Sequence, residues 1–308
     1  MVSAANKRIS RLNSFSLPAE ISFHVILGLF SLLCIVPFIF VIIISFTSEE
    51  SIRLIGYSFF PLSTSVAAYN YVLRLGDLVW RSYFNSFLIT SVGTVISVIM
   101  CLLYAYPLFR RDYKFRKFFN FISFFTMIFG GGLIPTYFIS KNLLGLYENY
   151  AALIVPALFS PFNVIIMRTF FQTSVPVELI EAATIDGSGE YHTLFGIVMP
   201  IVKPAIATIA LLNALAFWND WFLALLYIRT KTELIPLQYL LIQIQRTADF
   251  LAVNSHMMGT QASAAIAQLP SQSLRMALVV LIVVPIACAY PFFQRYVVAG
   301  LTIGSVKG

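Results

Sequence analysis

Charge is what this sequence has least of. Of its 308 residues only 11% are Asp, Glu, Lys or Arg, where soluble domains carry about 25%. A water-soluble fold of this length would have too few charges to cover its surface, so much of the chain is solvated by lipid. Histidine and cysteine are scarce as well. His24, His192 and His256 are scattered, and Cys34, Cys101 and Cys288 stand singly inside apolar runs. No H-E-x-x-H or G-x-S-x-G pattern occurs, so the chain carries no catalytic residue of those types, no metal ligands and no cofactor site. The cysteines read as small core hydrophobes. The phosphate-cradling G-x-x-x-x-G-K-[ST] loop is missing too, so ATP is not bound by that device.

What is there is apolar. Hydrophobic residues make up 59% of the chain, including 29 Phe. A helix crossing the hydrocarbon core needs about 20 mostly apolar residues. Ile21–Phe46, Ser82–Phe109, Phe118–Ser140, Asn149–Met167 and Met276–Gln294 are free of Asp, Glu, Lys and Arg. Pro204–Ile228 holds a single charge, Asp220. These windows predict an all-α, polytopic membrane protein with six transmembrane helices. Phe250–Leu274 is also uncharged, but Asn254, His256, Gln261, Gln268, Pro270 and Gln272 make it polar. It reads as an ordered loop with a short helix at Ala262–Gln268. The first window is too long for a secretory leader and lacks an A-x-A site, so it reads as a retained span.

Basic residues set the orientation. With the N-terminus inside, the inner segments carry 12 Lys and Arg and the outer segments 8. The cluster Arg110, Arg111, Lys114, Arg116 and Lys117 in one short connection decides it. Both termini are then cytoplasmic, with residues 1–20 forming an N-terminal cytoplasmic segment and 21–308 the membrane domain. The net charge of +7 is spread around the spans rather than massed in a tail, which speaks for topology and inner-leaflet attraction and against nucleic acid.

One inner connection, about 174–204, has structure of its own. Ser174 and Pro176 predict a helix start. Val177, Ile180 and Thr184 follow at helical spacing, Gly187 and Gly189 break the run, and a second amphipathic stretch covers His192–Val202. Between Arg168 and Lys203 the loop has no basic residue, yet it holds Glu178, Glu181, Asp186 and Glu190. Anionic lipid would repel such a face, so the expected occupant is a protein. On the outer side, residues 47–81 and about 229–275 are too long for simple connections. Near the outer end of the fifth span, Trp218, Asn219, Asp220 and Trp221 form a candidate substrate-path cluster. Indole faces can stack on sugars there, and an intramembrane carboxylate is a functional candidate by default.

Glu181-Ala182-Ala183-Thr184-Ile185-Asp186-Gly187, followed by Phe195, Ile197, Pro200 and Pro204, resembles the EAA loop of permeases in binding-protein-dependent ABC importers. Phe129–Tyr137, Asn163–Phe171 and Trp218–Phe222 are similar to the MalG-like sugar permeases. The tail Gln294-Arg295-Tyr296, Gly300, Gly304 and Val306-Lys307-Gly308 is similar to the subgroup for polysaccharides and complex oligosaccharides. The resemblance implies a type I ABC importer permease fold in a bacterial inner membrane. It also implies a second permease chain, cytoplasmic ATP-binding subunits and an extracytoplasmic sugar-binding protein as partners. Glu181, Ala182, Ala183, Asp186 and Gly187 would couple to the ATPase, and the outer loop 229–275 would meet the binding protein. A MalG-like permease for a small sugar or polyol remains open. An ion-coupled secondary transporter would need midplane acidic or His residues, for which Asp220 and His24 are the sole candidates.

Overall fold

The computed structural model describes residues 17–254 and 271–305. Along the chain the helices are α1 (Leu17–Ser45), α2 (Glu49–Ile55), α3 (Ala67–Arg74), α4 (Asp77–Phe109) and α5 (Arg116–Ile128). Next come α6 (Leu133–Leu143), α7 (Tyr150–Ala157), α8 (Pro161–Ser174), α9 (Val177–Ile185) and α10 (Glu190–Ile201). The last are α11 (Lys203–Trp218), α12 (Phe222–Tyr227), α13 (Leu237–Asn254) and α14 (Ser271–Ser305). No strand occurs among the described residues; Thr47 and Thr64 form an isolated antiparallel bridge.

The chain divides into two compact units, Met1–Asn70 with Ala267–Val280, and Tyr71–Ile266 with Leu281–Gly308. In the first, α1 is apolar on every side, with Phe30 66% and Leu33 70% exposed. At 29 residues it reaches about 43 Å, more than the roughly 30 Å of hydrocarbon. Such a helix is stable only in lipid. In the same unit Glu49 accepts hydrogen bonds from the backbone N–H groups of Gln272 and Ser273 and from the Ser271 and Ser273 hydroxyls, at 3.2–3.5 Å. A carboxylate at the first turn of α14 satisfies donors that have no intrahelical partner.

In the second unit α4 is the axis. It packs against α8 and α11 and touches α5, α7 and α13. The buried cluster Leu102, Ala105, Tyr106, Phe109, Val164, Met167, Phe171, Ala205 and Ile209 joins these helices. Gly93 lets α11 approach closely: a β-carbon there would lie 2.7 Å from the Phe217 ring. Pro285 has no N–H to give the carbonyl of Leu281 one turn earlier. The Tyr83 hydroxyl donates to that carbonyl instead, at 2.9 Å.

Among the described residues three helices are long and apolar enough to cross a membrane unbroken, and up to six spans result if each bent pair counts as one. The predicted third window is thus two helices, α5 and α6, meeting at 111° around Gly130–Gly132. The fourth, α7 and α8, bends by 51°. Here Ser160 caps α8 and Pro161 opens it, an arrangement suited to starting a helix afresh. The fifth stops at Trp218 and restarts at Phe222. Ser174 ends α8 rather than starting the next helix, and Pro176 is the residue before α9. Helix α1 begins at Leu17, ahead of the expected boundary at residue 20. Residues 229–275, read as a loop, contain the 18-residue helix α13. Its buried Leu237, Leu240, Leu241 and Ala248 lie on one side, while Gln243, Gln245 and Arg246 dilute its hydropathy. The short helix expected at Ala262–Gln268 lies outside the described residues. The tail is helical through Ser305.

Candidate functional site

The residues 174–204 fold into an elbow. Helix α9 ends because Gly187 takes φ +76°, a left-handed conformation that costs a side-chain-bearing residue about 1–2 kcal/mol. Ser188 N–H donates to the Ala183 carbonyl at 2.9 Å and Gly187 N–H to that of Thr184 at 3.1 Å. This paired closure satisfies the last carbonyls of the helix. The chain turns, and Thr193 N–H returns to the Gly189 carbonyl at 3.0 Å to begin α10. A π-helical turn, Thr193–Val198, lies within α10.

The elbow has two faces. Ile180, Leu194, Val198 and Val202 are buried in the core they share with α4, α8 and α11, and Ala183 is buried as well. Glu178, Glu181, Ala182, Asp186 and Gly187 are exposed. Among them stand Ile185, 85% exposed, and Tyr191, 75% exposed. Of the five predicted coupling residues, then, Glu181, Ala182, Asp186 and Gly187 face outward, while Ala183 seats the elbow on its own bundle. Large apolar side chains left exposed on an acidic face are unusual for a surface that only water covers.

A clamp that sequence reasoning missed fastens this elbow to α4. Arg110, at the end of α4, reaches Glu190 at 3.1 Å and also Asp112 at 2.7 Å. The Tyr106 hydroxyl donates to the second oxygen of Glu190 at 2.9 Å. The hydrogen bond from Arg110 holds the Asp112 carboxyl below its ordinary pKa. Beside the clamp is a cavity of about 700 Å³ lined by Arg110, Arg111, Arg116, Ile180, Glu181 and Thr184. Neither Arg110 nor Glu190 carries a local sequence signal for this pairing; their 80-residue separation closes only in the fold.

The predicted substrate-path cluster does not converge. Trp218 donates its indole N–H to the Ile282 carbonyl at 3.3 Å. It lines a mostly apolar cavity of about 810 Å³ with Tyr83, Phe87, Thr94, Pro285 and Tyr290. Asn219 bonds the Leu215 carbonyl. Asp220 lies not inside a span helix but in the break before α12, where its carboxylate accepts from Phe222 and Leu223 N–H at 2.7 and 3.1 Å. It serves as a helix cap. Trp221 faces Arg246, 6.0 Å from its ring centre.

At the far end of α4 from the elbow, Asn85 gathers another set of groups. Its amide donates to the carbonyls of Glu233 and Ile235, and it accepts from the Tyr150 hydroxyl at 2.8 Å. Nearby, Glu148 accepts from the backbone N–H groups of Arg229, Thr230 and Lys231 at 2.7, 2.8 and 3.0 Å. Those bonds, that from Thr230 foremost, lower its pKa to about 2. Tyr137 stacks on Tyr227 with ring centres 5.7 Å apart, and Lys141 sits over Tyr147 at 4.2 Å.

Several helices apolar enough to cross a membrane, with an acidic elbow at one end of the central one, define a helical integral membrane protein. Residues 91–303 match the family of binding-protein-dependent transport system inner membrane components, and the chain belongs to that family. It is 38% identical over 280 residues to the polygalacturonan/rhamnogalacturonan transport system permease protein YtcP of Bacillus subtilis, covering 91% of this chain and 95% of that one. It is 39% identical over 282 residues to protein LplC of the same species, covering 92% of each. A solved chain from a bacterial ABC transporter that imports the acidic polysaccharide alginate superposes with a TM-score of 0.75 at 32% identity. That match covers 92% of this chain and 99% of the other. The MalG-like resemblance read from the sequence holds.

Proposed function

We propose that this chain is a permease subunit of an ATP-driven importer for oligo- or polysaccharides, with uronate-containing saccharides as the preferred class. It spans the membrane six times with both termini in the cytoplasm and forms the translocation path with a second permease chain. The elbow, with Glu181, Ala182, Asp186 and Gly187 outermost, docks on a cytoplasmic ATPase. Closure of that ATPase on ATP pulls the elbow, and the shared core passes the displacement to α4, α8 and α11. A binding protein delivers the saccharide to the outer face, meeting the 229–275 region.

The observation that carries the coupling role is the elbow's division into a face continuous with the bundle core and an exposed acidic face bearing Ile185 and Tyr191. A rigid piece with one face in each body transmits force; a lipid-seated helix would need basic residues that this one lacks. The substrate class is supported by the two relatives whose names specify pectic or acidic polysaccharides. The test is Gly187→Val in proteoliposomes holding the whole importer. Uptake should be abolished while membrane insertion is retained. Wild-type uptake by the variant, or uptake by the permeases with no ATPase present, would remove the reading.

A further inference from the structure

We propose that Lys141, Arg229 and Lys231 form a rim that binds the carboxylate of a uronate residue as the saccharide enters. This rests on the substrate class inferred above. The ammonium of Lys141 lies 4.2 Å from the ring centre of Tyr147 and 5.6 Å from that of Tyr137, whose hydroxyl is 3.4 Å away. Among the described residues none of the three cations has a carboxylate partner at ion-pair distance. Two acids stand near the rim: Glu148, whose oxygens are both engaged by the backbone of residues 229–231, and Glu233, exposed two residues past Lys231. Glu148 therefore fastens the Arg229–Lys231 turn beside Tyr147 and does not neutralise the cations by side-chain pairing. Lys141, on Tyr147, and the turn carrying Arg229 and Lys231, on Glu148, are thus held by two consecutive residues.

The rim lies at the opposite end of α4 from the elbow. Tyr150 and the 233–235 strip attach at Asn85, and the elbow attaches at Arg110. About 25 residues of helix, or about 37 Å, separate the two, more than the thickness of the hydrocarbon core. If the elbow meets the ATPase, the rim faces the side from which saccharide arrives. A uronate presents a carboxylate, which takes charge-assisted hydrogen bonds from ammonium and guanidinium groups. A basic rim also raises the local concentration of an anionic substrate, and that gain is screened by salt. A neutral sugar would leave the three charges without a use.

The experiment uses the complete importer in proteoliposomes, with trigalacturonate as the probe and maltotriose as the neutral one. The triple variant Lys141→Gln, Arg229→Gln, Lys231→Gln should import trigalacturonate about tenfold more slowly at low salt, and its rate should lose the salt dependence of wild type. Lys141→Arg should retain most of the rate. Affinity of the substrate-binding protein for a Lys141→Gln complex, whose change lies outside the 229–275 region, should be unchanged while its trigalacturonate import slows. Parallel loss of that affinity would mean the rim docks the binding protein, and the proposal fails. Wild-type import of trigalacturonate matched by the triple variant would overturn the rim alone. Import of maltotriose but no trigalacturonate by wild type would overturn the substrate reading, and the rim with it. Arg229→Gln and Lys231→Gln alone, at exposed positions, give the same reading should the triple variant fail to assemble.

Discussion

Arg110 and Glu190 form an ion pair at 3.1 Å that joins the residue capping the C-terminal end of α4 to the first residue of α10. Tyr106, one turn earlier on α4, holds the other oxygen of the same carboxylate. The elbow is thus attached to the central helix by apolar packing and by a bidentate polar contact. The apolar contacts resist separation in any direction, whereas the polar contact fixes rotation about the elbow's own axis.

Because Glu190 is 63% exposed at its side chain, the pair adds at most about 1 kcal/mol to stability. Its value lies in geometry. Glu190→Gln or Tyr106→Phe should leave the thermal midpoint of the purified complex within a few degrees of wild type. The number of saccharides imported per ATP hydrolysed should fall severalfold. The charge exchange Arg110→Glu with Glu190→Arg should restore part of the ratio. Equal ratios in wild type and Glu190→Gln would show that apolar packing alone transmits the motion.

The close approach of α4 and α11 at Gly93 gives a second test, in which two effects of opposite sign compete. Alanine in place of a helical glycine gains about 1 kcal/mol of helix propensity. Here its methyl would meet the Phe217 ring at 2.7 Å, and overpacking costs about 1–3 kcal/mol. The ring is buried, so moving it aside disturbs the packing around it, and Gly93→Ala should lower the unfolding midpoint in detergent. In a Phe217→Leu background the same change should become neutral or stabilising. A Gly93→Ala protein as stable as wild type would mean the two helices separate without cost.

What was legible in the sequence follows from which forces act locally. Helices α1, α4 and α14 announce themselves, because an uninterrupted apolar run has no other stable form in lipid. The breaks at Gly130–Gly132 and Pro161 were visible as residues. The 111° turn between α5 and α6 was not, since an angle depends on what packs against each half. Helix α13 was missed because its glutamines lower its hydropathy, although the spacing of Leu237, Leu240, Leu241 and Ala248 would have revealed it. The glycine that ends α9 is legible in the sequence, because the glycine requirement is a local backbone matter. Asp220 looked like a membrane carboxylate in search of a ligand. Its place two residues before Phe222 is equally a capping position, and the cap is what the fold uses. The Arg110–Glu190 pair and the Glu148 clasp join segments 80 or more residues apart, and no spacing rule reaches that far.

The Glu148 clasp makes the turn at 229–231 sensitive to acid, and the sign follows from the direction of the shift. Three backbone N–H donors favour the charged carboxylate, so the folded-state pKa, about 2, lies below the ordinary value of 4.5. A group with a depressed folded pKa stabilises the fold above its unfolded pKa, and that contribution fades as pH falls toward the folded one. Order in this turn should therefore be flat from pH 7 down to about 5 and weaken progressively below that. A spin label at Thr230→Cys would report it as rising mobility confined to the acid side. Glu148→Gln, which keeps one acceptor oxygen but no charge, should show the mobile state at neutral pH with no further acid dependence. A wild-type spectrum unchanged down to pH 3, or a Glu148→Gln spectrum as ordered as wild type at pH 7, would mean that Asn85 and the apolar contacts of Tyr227 hold the turn without the carboxylate.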